Sequence, residues 1–246
     1  MPLIDSERLT EEDRAAWRAA RQHDELRART ARIGILHNQA AKTVERFLCE
    51  GGGWCAVSWG KDSVATAAIA AMVSPRVHLV HVRMERAENP ESARVRDAFL
   101  GMYPKVRYDE VVVPWPGMRG EAIAWESIGV VTHQDFFFDA LSQFGKRRIS
   151  GIRASESAVR AKSALRHGLA TDNSCRPILR WIENDVFAFL AALDLPVHPV
   201  YAMTMGGLFE RDRLRVDIIG DDPGEMSGRR SWEQRYFPDV LEAMRA

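Results

Sequence analysis

The stretch Trp54-Cys55-Ala56-Val57-Ser58-Trp59-Gly60-Lys61-Asp62-Ser63-Val64 limits what this chain can fold into more than any other. Trp54 to Ser58 is a short apolar run of the kind that makes a buried strand. Ser58 to Gly60 turns the chain. Val64, Ala67, Ala68, Ala71 and Met72 then recur at the i, i+3, i+4, i+7, i+8 spacing of a helix laid on a sheet. Ser74-Pro75 predicts its end. A strand, a tight turn and a helix in direct succession aim free backbone N–H groups and the positive end of a helix dipole at one point. With a lysine and two hydroxyls there, that point suits phosphate. A Walker A loop is excluded: its first Gly would fall at Cys55, and Lys61 is followed by Asp62, not by Ser or Thr.

At 246 residues the chain predicts one α/β domain with helical extensions. Lys+Arg and Asp+Glu both total 34, which argues against a nucleic-acid field over the whole protein and leaves only a local patch open. With no run of 18 apolar residues and a charged start, the expectation is a cytoplasmic protein with no membrane partner. Cys49, Cys55 and Cys175 lack C-x-x-C spacing and read as buried or free thiols in a reducing compartment. They do not make a disulfide frame, a zinc site or a four-thiolate cluster.

Residues 1–49 predict a helical N-terminal extension, with Thr10 as N-cap before Glu11, Glu12 and Asp13. As far as Arg32 its large apolar residues are Trp17 and Leu26, the pattern of a solvated face or of an arm used in dimer contact. From Ile33 the helix is amphipathic, with Leu36, Ala40, Val44, Phe47 and Leu48 on one side, until Glu50-Gly51-Gly52-Gly53 stops it. Further strands are predicted over 76–84, 105–113, 146–150 and 175–181. His78 and His81 read as packed or hydrogen-bonded histidines, since no Cys or carboxylate stands at ligand spacing. Pro90-Glu91-Ser92 opens a helix, 118–134 reads as a substrate-facing insertion near Trp115 and Trp125, and 135–144 as an aromatic core helix. Glu183 starts another helix, with Val186, Phe189, Leu190 and Leu193 on its buried stripe.

Three motifs in order carry a family resemblance. Ser58-Trp59-Gly60-Lys61-Asp62-Ser63 resembles SGGKDS, the pyrophosphate-binding loop of the adenine nucleotide alpha-hydrolase (PP-loop) superfamily, with Trp59 in place of the first Gly. Gly151-Ile152-Arg153, Glu156-Ser157 and Arg160 resemble GxRxxES..R, a hallmark of its phosphoadenylylsulfate (PAPS) reductase-like branch, with Ser155 where an Asp is frequent. Pro177, Trp181, Asp185-Val186 and His198-Pro199-Val200-Tyr201 resemble that branch's P...W...DV..YL.....P.HPLY ending. Asn89-Pro90-Glu91-Ser92 is similar to a Pro-Glu-Thr-like element near the nucleotide.

The resemblance implies an α/β, doubly wound, mostly parallel five-stranded sheet of the PP-loop/HUP-like kind. Residues 50–201 would form the nucleotide domain, with the helical extension before it. An irregular tail, 202–246, would follow, its Arg211, Arg213, Arg215, Arg229, Arg230 and Arg235 closing over the nucleotide. ATP would be held by Ser58, Trp59, Gly60, Lys61, Asp62, Ser63, Glu91, Gly151 and Arg153. Lys61 would neutralise the leaving pyrophosphate and Asp62 would hold Mg2+. Arg153 and Arg160 would clamp the alpha phosphate or its acceptor, where guanidinium forks match phosphate oxygens, and Glu156 would orient an Arg or a metal-bound water. The implied activity is adenylyl transfer or ATP pyrophosphatase chemistry in sulfur or nucleic-acid modification. It would act on an adenine nucleotide and an unknown anionic acceptor, with a homodimer or partner subunit left open. Two alternatives remain: a sulfonucleotide (PAPS) reductase or binder, although no Cys follows Cys175, and a non-catalytic nucleotide sensor or partner-binding subunit.

Overall fold

Short aliphatic runs separated by helical crossovers favour parallel pairing, because each return to the sheet has enough chain to close it. The structure is a computed structural model describing residues 2–113, 133–216, 219–220 and 228–244. Its strands are β1 (Trp54–Ala56), β2 (His78–Met84), β3 (Arg107–Val113), β4 (Arg148–Ile149) and β5 (Ser174–Cys175). They form one sheet in the order β3-β2-β1-β4-β5, every pair parallel. Winding runs outward from β1 through β2 to β3, then jumps back across β1 to β4. That reversal opens a crevice beyond the carboxyl ends of β1 and β4, where open α/β sheets take their ligands.

The helices are α1 (Glu11–Ala28), α2 (Ala31–Cys49), α3 (Lys61–Val73), α4 (Ser92–Met102), α5 (His133–Ser142), α6 (Ala158–His167), α7 (Glu183–Ala192), α8 (Arg229–Tyr236) and α9 (Pro238–Ala243). α3 is not the one-sided helix its stripe predicts. Ser63 to Ala71 is buried all round and Met72 is exposed, because α2 and α7 pack on the side turned from the sheet. Its alanines allow that close approach. No described helix is long and apolar enough to cross a membrane.

Four expectations give way. α1 is not simply a solvated face: it docks on α7, with Trp17 edge-on to Phe187 at 6.1 Å. Polar side chains complete the docking, Asp24 pairing with Arg211 at 2.6 Å and Asp13 accepting the Tyr236 hydroxyl at 3.1 Å. The tail is not wholly irregular, since α8 and α9 lie in it and the Trp232 indole, fully buried, donates to the Met203 carbonyl at 2.7 Å. The strand over 175–181 stops at Cys175, because Pro177 has no N–H and the Leu179 and Trp181 amides turn back onto Arg176 and Ile178. The aromatic helix α5 touches β2 and β3 and packs Ala140 against the cluster of Met84 and Val113, but its Phe138 is exposed and so is not core. Apart from its last two residues, which begin α5, the insertion over 118–134 with Trp125 lies outside the described residues, as does Trp115.

Candidate functional site

The turn after β1 holds its own shape. Gly60 is the N-cap of α3, and the Ser63 hydroxyl donates to the Gly60 carbonyl at 3.0 Å while accepting the Ser58 N–H at 3.2 Å. Trp59 takes a left-handed backbone, φ 59°. A β-carbon costs energy there, which is why Gly suits this position. The indole turns away from the cleft and is fully buried between Phe99, Tyr108 and His81, donating from Nε1 to His81 Nδ1 at 3.2 Å. Trp59, expected to hold ATP, is therefore not among the residues that line the cleft. Across the switch point Gly151 passes so close to α3 that a β-carbon would lie 2.7 Å from the Asp62 carbonyl. That contact sets Arg153 beside Lys61.

Lys61, Asp62, Arg153 and Glu183 then close a ring of alternating charge. Asp62 reaches Lys61 Nζ with one oxygen at 2.9 Å and Arg153 Nε with the other at 2.6 Å. Glu183 does the same from the start of α7, with Oε2 on Arg153 and Oε1 3.0 Å from Lys61 Nζ. Lys61 also lies over the Tyr201 ring at 4.9 Å, and the Tyr201 hydroxyl accepts the Lys61 N–H. Burial pulls the Lys61 pKa down, but Tyr201, Asp62 and Glu183 together raise it, so the ammonium stays charged. Burial pushes the Glu183 carboxyl up against the pull of Lys61 and Arg153.

The ring forms part of the lining of a cleft of about 1380 Å³. One side of the cleft is apolar, built by Ala56, Val57, Val80, Val82 and Ile152, and Arg160, Arg213, Arg215 and Arg229 come in from the rim. Of the residues singled out in the sequence, Ser58, Gly60, Ser63, Gly151, Glu156 and Arg160 also line it. Glu156 accepts the Arg153 N–H at 2.9 Å and pairs with Arg160, while Ser155 accepts from Arg153 at 3.0 Å. Glu91 is not in the cleft: it accepts the Ser6 hydroxyl at 2.6 Å and pairs with Arg94 at 3.3 Å. Arg211 does not close over it either, being held by Asp24 and stacked on Phe187. Sequence reasoning missed Glu183 and the part played by Tyr201. Glu183 had a sufficient local reason as an acid in the first turn of a helix.

Asp62 and Glu183 spend their oxygens on Lys61 and Arg153, and no group of three His, Cys, Asp or Glu gathers as a metal site among the described residues. The ring does not fit a protein-built magnesium site. His78 pairs with Asp109 at 2.7 Å and His81 with Trp59, so neither histidine is placed as a ligand. Cys55 and Cys175 flank Ile149 in the sheet, one strand apart. Burial pushes the Cys55 thiol up and the Cys175 thiol up to about 12, and neither lines the cleft.

An open parallel sheet with a lysine at the start of the helix after its first strand fits the PP-loop adenine nucleotide alpha-hydrolase superfamily, and the family model places the chain there. The model of the phosphoadenosine phosphosulfate reductase domain matches residues 53–211, more than half of the chain, and the chain belongs to that family. No curated protein matches the sequence. Similar solved structures include the NMN synthetase of Francisella tularensis, at 13% identity and TM-score 0.45 over 65% of this chain and 71% of that one. The PAPS reductase of Candida auris, in a phosphate complex, gives 12%, 0.43, 67% and 87% in the same terms. The U34-tRNA thiolase NcsA of Methanococcus maripaludis, with its [4Fe-4S] cluster, gives 12%, 0.45, 86% and 78%. All three are distant.

Proposed function

We propose that the cleft binds ATP and that the chain transfers its adenylyl group to an anionic acceptor, or to water, with release of pyrophosphate. The observation that carries this reading is the ring: two cations, buried at the N-terminus of α3 and held to within hydrogen-bonding distance of shared partners, at the switch point of a parallel sheet. The apolar strip along Val57, Val80 and Ile152 suits the base, and the triphosphate then runs toward the loop. An acceptor oxygen attacks the alpha phosphorus in line and the bond to the bridging oxygen breaks. That oxygen's electron pair leaves with pyrophosphate. Lys61 offsets the charge that builds on the leaving group, and Arg153 and Arg160 offset charge at the alpha phosphate. Such a transfer needs no protein nucleophile. No step is routed through a metal, because Asp62 acts here by positioning Lys61 and Arg153. A thiol-based reductase finds no support in the site, since none of the three cysteines lines the cleft.

The test is ATP binding by calorimetry together with pyrophosphate release across a panel of anionic acceptors, for the wild type and Lys61→Ala. The expected result is wild-type binding and release, with affinity down by about tenfold or more in the variant, the size of a lost charge-assisted hydrogen bond. Binding without release from any acceptor would make the chain a sensor. Equal binding by both proteins would remove Lys61 from the phosphate site.

A further inference from the structure

The cleft does not present Lys61 and Arg153 directly. Both side chains are only 4–5% exposed and each is already paired with Asp62 and Glu183, whose side chains are 16% exposed, with Glu183 Oε1 itself buried. An incoming phosphate therefore finds both cations already neutralised. Resting on the ATP reading above, we propose that Glu183 is an internal counter-anion that masks the phosphate-binding cations, and that a phosphate group of the ligand takes its place.

The ring identifies which carboxylate yields. Asp62 follows Lys61 directly in the first turn of α3, so it stays beside that lysine whatever binds. Glu183 comes from another helix, and its hold is uneven. Oε2 hydrogen-bonds to Arg153, while Oε1 lies 3.0 Å from Lys61 without an aligned hydrogen bond. The backbone beneath it cannot withdraw. Asp185 accepts the Ile182 N–H at 3.2 Å and pairs with Arg27 and Arg32 at 2.8 Å, which pins the start of α7. Glu183 thus leaves by turning its side chain. Its departure frees one donor on Arg153 and opens the position 3.0 Å from Lys61 Nζ, around the place where a two-oxygen anion had lain against both cations. A phosphate oxygen pair has the same bridging geometry, so the cations need not move.

Inorganic pyrophosphate, titrated with metal chelated, is the probe, and the variant is Glu183→Gln. Removing the competing charge is expected to tighten pyrophosphate binding by about tenfold, with far-UV circular dichroism unchanged. A residue that only supports the fold would give a loss instead. If Glu183→Gln folds poorly, carbon-13 spectra of the wild type give the answer: the carboxyl resonance assigned through Glu183→Asp shifts as pyrophosphate is added. Equal or weaker binding by folded Glu183→Gln, or a carboxyl resonance that does not move while pyrophosphate binds, overturns the masking and leaves the phosphate site standing. If neither folded protein binds pyrophosphate or ATP, the phosphate site itself falls and the masking falls with it.

Discussion

Trp59 shows how one residue can break its family's pattern and keep its loop. Its left-handed backbone costs roughly 1–2 kcal/mol for any residue with a β-carbon. Burying the indole against Phe99, Tyr108 and His81 outweighs this, since losing a buried aromatic costs roughly 3–5 kcal/mol. Trp59→Gly would restore the family residue and still destabilise the protein, by roughly 2 kcal/mol in urea unfolding. Greater stability of that variant would mean the loop, not the indole, sets the balance. Gly151→Ala places a methyl 2.7 Å from the Asp62 carbonyl, so it is expected to displace the start of α3 and cost roughly 1–3 kcal/mol. ATP affinity should fall with it; a variant that binds and melts like the wild type would show that the two loops have slack. The loop was legible in the sequence because its cause is local: apolar run, turn, lysine, helix. Glu183 was not. The cations it bridges come from two distant segments, and only the folded sheet brings them to it.

Elements that bury charged side chains beside aromatic ones are poorly read by hydrophobic period, and α1 and α8 are such helices. Asp13 and Asp24 are buried on α1, and Arg229 and Glu233 on α8, each drawn in by a partner far along the chain or a turn away. α7 announces itself by its apolar stripe, yet its position depends on Asp185. Burial pushes the Asp185 carboxyl up, but hydrogen bonds from Arg32, Arg27 and the Ile182 N–H hold it at about 2. Asp185→Ala removes the acceptor at the helix start and should cost roughly 1–2 kcal/mol from the lost cap alone. Because Glu183 rides on that turn, the same variant should alter pyrophosphate affinity. Unchanged affinity in a destabilised variant would mean that the ring holds α7, and not the reverse.

At the scale of the whole molecule, His198 makes the fold sensitive to acid. It is fully buried, accepts the Val200 N–H at 3.1 Å, and desolvation holds its pKa down at about 3. The unfolded chain binds a proton there near 6.5 and the folded chain does not, so its contribution is complete above pH 6.5 and is lost on the way down to 3. The expected slope is up to about 1.4 kcal/mol per pH unit within that window. Melting temperatures of the wild type and His198→Gln across pH 4–7 check it, and parallel curves would count against the histidine. The overall architecture was legible from sequence through the apolar runs of β1 and β2 and the motifs that carry the family resemblance, since β4 (Arg148–Ile149) and β5 (Ser174–Cys175) have no apolar run of their own. The way distant segments tie together was not, because single ion pairs have no period. Leu3 pairs with Val197, and Arg8 grips Asp239 by two bonds, 231 residues away. A ribosome adding about 5–20 residues per second must leave Arg8 without that partner for roughly 10–50 s. The sheet can therefore assemble during synthesis, while the Arg8 fastening waits until Asp239 has been made.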